Sequence, residues 1–170
     1  MSLHASLLKA KLCEQRSQYD AALKIYQGLL RLVPSHPQVN GLKGALLIQM
    51  GRPSQAIQPL EIAWSHEPQD PQHWLRLVAA CYRSGRVAQA RQLLAQGHDM
   101  GIEPDLLQKL THDLSEPAIE ETTALAQLID SGNRISAEIA ARMMVQDYPS
   151  SAKARDCLAR VMEMEAVNVT

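Results

Sequence analysis

The side chains able to carry chemistry in this sequence are few and dispersed. Its six histidines are His4, His36, His66, His73, His98 and His112. A metal centre needs donors that converge on one face, which on a helix means i, i+3 or i+4. The adjacent pair His112 and Asp113 diverges around a helix instead. Cys13, Cys81 and Cys157 form no C-x-x-C and lie far apart, so neither a zinc knuckle nor a disulfide framework is expected. They read as buried thiols. The chain has no G-x-x-x-x-G-K-[ST], no G-x-S-x-G and no H-E-x-x-H. An active site would need Asp105, His98 or His112 to converge in a pocket built by residues 101–117, and nothing in their spacing requires that. The expectation is a non-enzyme with no catalytic residue, no cofactor and no metal ligand.

The elements that would position any such group follow from composition. A chain of 170 residues is long enough for one domain, and folding at that size buries roughly 70% of the unfolded surface. Hydrophobic residues make up 46%, with no Phe and only two Trp. The remainder is mostly Leu, Ala, Val, Ile and Met, which favours helices. No stretch approaches the ~18 uninterrupted apolar residues of a membrane span, and Lys9 and Lys11 interrupt the N-terminal Leu cluster where a signal peptide's apolar region would sit. A cytoplasmic location with no membrane partner is expected. Met1-Ser2-Leu3 and Val169-Thr170 read as ends that a longer native frame could extend beyond. The net charge of -1 hides an asymmetry: residues 1–104 carry 11 Lys and Arg against 7 Asp and Glu, while 105–170 carry 6 against 11. If those basic charges share a face, they steer an acidic partner to the first part. A pI near 6.6 and the lack of a basic stripe interleaved with aromatics argue against nucleic acid.

The chain also repeats. Pro34 and Pro68 are 34 residues apart, as are Ala22, Ala56 and Ala90, and as are Gly51 and Gly85. Leu60 and Leu94 keep the interval, with Tyr26 one repeat earlier. Gly51 and Gly85 each follow an apolar segment and suit the left-handed residue that ends a helix and turns the chain back. The alanines open the second helix of each pair, where a small side chain allows close approach. Pro34 and Pro68 stop that helix, and Pro37 and Pro71 open the next, where the missing N–H costs nothing.

On these residues the chain resembles the tetratricopeptide repeat family, whose period is ~34. The resemblance implies an all-α fold: a tetratricopeptide-type α-α superhelix, or solenoid, of antiparallel helix pairs with a C-terminal capping helix. Three repeats are expected at 3–36, 37–70 and 71–104. In the third, Trp74, Leu77, Gly85, Ala90 and Leu94 fall on the family's aromatic, Leu, Gly, Ala and large apolar positions. In the first, Ser6 replaces the aromatic and Ser17 the Gly. Cys13 and Cys81 share one position, normally apolar. After Pro104 the register breaks: 105–117 is expected to be an inserted short helix, with Ser115-Glu116-Pro117 capping and starting another. Gly132, Ala137, Ala141 and Pro149 mark a degenerate fourth repeat at 118–151, and 152–165 a last helix over it within a block reaching 170. Pro59 falls inside the second helix of repeat two and is expected to bend it.

The resemblance further implies a protein-interaction scaffold that holds a partner protein or peptide in the concave groove lined by the first helix of each pair. Transferred to the matching positions, the groove takes His4, Leu7, Lys11 and Gln15 from repeat one, and Gln38, Ile48 and Gln49 from repeat two. Repeat three supplies Gln72, Leu75, Arg76, Tyr82 and Arg83. Lys11, Gln15, Gln49, Gln72, Leu75, Arg76, Tyr82 and Arg83 are the partner-binding residues expected, with Tyr82 as aromatic anchor and the arginines suited to an acidic side chain. Members that clamp a chaperone's terminal carboxylate use Lys, Asn, Asn, Lys and Arg where this chain has Leu7, Lys11, Leu42, Gln72 and Arg76, and only Arg76 agrees. Two further resemblances give alternatives: the repeat module preceding a bacterial glycosyltransferase or sulfotransferase domain, and the small chaperones of type III secretion. Exposed repeat ends would also allow homo-oligomers.

Overall fold

The computed structural model describes residues 2–166. Among them run ten α-helices and no strand: α1 Leu3–Gln15, α2 Tyr19–Leu32, α3 Pro37–Gln49, α4 Pro53–His66, α5 Pro71–Arg83, α6 Val87–Gln96, α7 Pro104–Asp113, α8 Ile119–Asp130, α9 Arg134–Asp147 and α10 Ala152–Ala166. The chain ends Met1 and 167–170, and with them the Val169-Thr170 terminus, lie outside the described residues. No helix among these is long and apolar enough to cross a membrane. The chain divides into two compact units, one ending at Cys81 and the other beginning at Tyr82.

In the first unit α1 packs on α2, α2 on α3 and α3 on α4. The corner between α1 and α2 falls at Ser17 and that between α3 and α4 at Gly51, with φ of 58° and 71°. Ser17 therefore adopts the left-handed conformation that the glycine takes one repeat later. Pro37 and Pro53 occupy the first turn of their helices. Ala22, Ala56 and Ala63 are fully buried, and so are Tyr26, Leu60 and Trp74. Gly44 lets α3 approach α4, since a methyl group there would lie 2.4 Å from Leu60 Cγ. Pro59 is buried within α4, and the helix continues through it to His66. Pro59 has no N–H to donate to the Gln55 carbonyl, so that rung of the helical ladder is missing.

In the second unit α6 packs on α7, α8 on α9 and α9 on α10. Its core is Val87, Leu125, Ala137, Ala141, Met144, Tyr148, Ala154 and Val161. Gly85 and Gly132 have φ of 77° and 72° at the α5–α6 and α8–α9 corners. Asn133 accepts a hydrogen bond from the Ser136 N–H at the start of α9, and Ser151 one from the Ala154 N–H at the start of α10.

Two expectations need correction. Ser115-Glu116-Pro117 does not start a helix: α8 begins at Ile119, and the Glu121 carboxylate rather than a serine accepts the Ala118 N–H. The Ser115 hydroxyl is already committed to the His112 carbonyl. Of the cysteines only Cys81 is buried, while Cys13 and Cys157 are half-exposed. Cys13 lies on α1, which packs mainly on α2.

Candidate functional site

In the first unit the α4–α5 junction reads Glu67-Pro-Gln-Asp70-Pro-Gln-His73. Glu67 ends α4, its N–H donating to the Ala63 carbonyl, and Asp70 precedes α5. The Asp70 N–H donates to the Glu67 carbonyl and the His73 N–H to the Asp70 carbonyl, which holds the three residues in a compact turn that contains Pro68 and Pro71. Asp70 Oδ1 caps α5 by accepting the Gln72 N–H at 2.9 Å. The His73 side chain is 4% exposed. Its Nε2 lies 3.1 Å from Glu67 Oε2 and 3.6 Å from Asp70 Oδ2.

This turn lines a cleft of about 410 Å³ together with His36, Gln38, Leu42, Gln72 and Arg76. The buried Nδ1 atoms of His36 and His73 have no hydrogen-bond partner. A second cleft of about 130 Å³ is lined by His4, Leu7, Leu8, Lys11 and Gln38. Gln38 therefore borders both. Of the residues expected in the groove, Gln38, Gln72 and Arg76 line the first cleft, and His4, Leu7, Lys11 and Gln38 the second. Gln15 is exposed, Leu75 is half-buried, and Gln49 donates its side-chain amide to the Tyr19 hydroxyl at 3.0 Å.

Tyr82 and Arg83 belong to the second unit and are engaged by their own chain. The Tyr82 hydroxyl donates to the Glu116 carbonyl at 2.8 Å. Burial, then the nearby carboxylates of Glu121, Asp113, Glu116 and Glu120, raise the Tyr82 pKa above the phenol value. Arg83 pairs with Glu120, its Nε 2.6 Å and Nη2 2.5 Å from Oε1. The Tyr148 hydroxyl donates to Glu121 at 2.5 Å, and the Ser151 hydroxyl donates to Glu116. Arg91 reaches the carbonyls of Leu114 and Asp147 and lies 5.9 Å from the centre of the Tyr148 ring. These contacts tie α6, the α7–α8 turn and the end of α9 together.

His98 and His112 line a third cleft, of about 470 Å³, with Pro104, Leu107, Gln108, Thr111 and Ser115. Asp105 is not among its lining residues, so the acid and the two imidazoles do not form one constellation there. The Glu67, Asp70 and His73 cluster escaped notice in sequence because its residues meet across the α4–α5 junction rather than on the face of one helix. The legible signal was the regular E-x-x-D-x-x-H spacing. No comparable signal announces the carboxylates of Glu116, Glu120 and Glu121 as partners of Ser151, Arg83 and Tyr148.

No curated protein sequence matches the chain. A crystal structure of MamA protein superposes with a TM-score of 0.58 at 13% identity, over 96% of this chain and 82% of that one. A MamA RS-1 ArsTM double mutant gives 0.54 at 16% identity, over 96% and 75%. A further crystal structure of MamA gives 0.55 at 14% identity, over 98% and 86%. At such identities the likeness is one of fold. The tetratricopeptide repeat family profile matches residues 47–99, spanning the end of α3 through α6, so this segment of an all-α chain is a tetratricopeptide repeat.

Proposed function

We propose that this chain is a protein-interaction scaffold that holds an extended segment of a partner protein across the faces of α1, α3 and α5, without catalysing a reaction. The observation that carries the reading is Gln38, which borders both clefts of the first unit. A segment passing it would meet Lys11 on one side and Arg76 on the other. Gln38 and Gln72 each offer a donor and an acceptor to a peptide backbone. Lys11 and Arg76 suit carboxylate side chains, which favours an acidic segment. Tyr82 and Arg83 are left out of this surface because Glu116 and Glu120 already engage them. The test compares wild-type chain with Lys11→Glu/Arg76→Glu and with Lys153→Glu/Arg160→Glu, a control of equal charge change on α10. Specific partners captured by wild type and control, but lost or weakened at least tenfold by the first variant, are expected. Retention of every specific partner by Lys11→Glu/Arg76→Glu sinks the proposal.

A further inference from the structure

We propose that Glu67, Asp70 and His73 form a binding site for a divalent transition-metal ion such as zinc. The inference goes beyond the partner reading and does not depend on it. Three donor atoms, one from each residue, lie within 4.8 Å of one another. A tetrahedral ion with bonds of 2.0–2.1 Å sets its ligand atoms about 3.3 Å apart. The separations from His73 Nε2 to Glu67 Oε2 and Asp70 Oδ2, 3.1 and 3.6 Å, bracket that edge.

His73 Nε2 carries at most one proton, and it can serve Glu67 at 3.1 Å, while Asp70 Oδ2 at 3.6 Å is beyond hydrogen-bond length. One imidazole N–H cannot satisfy two carboxylates, whereas a dication interacts with both at full strength. The buried Nδ1 of His73 has no partner. An ion at Nε2 would take the lone pair there, and the Nε2 proton would be released to solvent or moved to Nδ1. The imidazole favours zinc, cobalt or nickel over magnesium or calcium, which prefer oxygen alone.

The ligands are also pre-positioned. Asp70 Oδ1 is held by the Gln72 N–H, which leaves Oδ2 for the ion, the arrangement by which outer contacts orient metal ligands. His73 is held by close packing, since a methyl group on Gly41 would lie 2.7 Å from Nδ1. Three protein donors leave a fourth position open to water or to a donor from the partner.

The test is calorimetric titration of the full chain with zinc chloride, repeated with cobalt chloride and read by visible absorption. One ion per chain is expected. Glu67→Gln and Asp70→Asn, both on partly exposed side chains and checked for helicity by circular dichroism, should each weaken binding at least about tenfold. In the wild-type chain, zinc should move the imidazole resonances of His73 ahead of those of the other histidines. Absence of binding up to about 1 mM, wild-type affinity in the double variant Glu67→Gln/Asp70→Asn, or a response confined to other histidines or to the cysteines would each overturn the assignment.

Discussion

Ser17→Gly should stabilise the chain, against the usual trend of substitutions. Ser17 turns α1 into α2 with φ of 58°, where the corners at Gly51, Gly85 and Gly132 have φ of 71–77°. A Cβ in the left-handed region costs roughly 1–2 kcal/mol. Removing it recovers that strain, while the greater freedom of glycine in the unfolded chain takes back about 0.5–1 kcal/mol. The net gain is about 0.5–1 kcal/mol, which for a chain of this size raises Tm by roughly 1–4 °C. Ser17 is exposed and its N–H donates to the Glu14 carbonyl, a contact that glycine keeps. Ser17→Ala keeps the Cβ and should gain nothing, and Ser17→Val should lose stability because β-branching worsens the clash. Thermal unfolding of the three variants, followed by far-UV circular dichroism, decides the matter. A Ser17→Ala gain equal to that of Ser17→Gly would refute backbone strain as the cause.

Gly44→Ala should destabilise the first unit by about 1–3 kcal/mol, as overpacking does. Its methyl would sit 2.4 Å from Cγ of the fully buried Leu60, and chemical denaturation measures the loss. Stability should also fall as pH rises past the ordinary tyrosine value of 10.0. Burial first, and then hydrogen bonds to Glu14 and Glu121, raise the pKa of Tyr26 and Tyr148, so the folded chain keeps protons that the unfolded chain releases. The contribution is fully present below pH 10 and fades above it. Denaturation midpoints between pH 8 and 11 should fall less steeply in Tyr26→Phe/Tyr148→Phe than in wild type, and parallel curves would remove the tyrosines as the cause.

The repeat was legible because its signals are local. The corner within a helix pair takes a residue with positive φ, the crossing a small residue and the start or stop of several helices a proline, so a 34-residue interval in Ala, Gly and Pro predicts stacked helix pairs directly. Ser17 shows how far this reaches: position in the repeat marked it as a corner even without glycine. Local signals failed where the partner came from elsewhere. Glu121 accepts the Ala118 N–H and also the Tyr148 hydroxyl, and only the first contact lies within the reach of a capping pattern. Repeat position assigned Arg83 to the groove just as it did Arg76, yet Arg83 meets Glu120, 37 residues on.

By itself, then, the amino-acid sequence determined the all-α class, the period and the places where helices begin and turn, because these depend on backbone preferences and on which face of a helix is apolar. Tertiary structure decided which charges are spent internally and which remain on a cleft. It paired Arg83 with Glu120 and left Arg76 lining a cleft, though repeat position treated the two alike. It also gathered Glu67 and Asp70 around a buried imidazole across a helix junction. Such choices turn on ångström-scale separations between side chains of different elements, and these are set by how the helices pack.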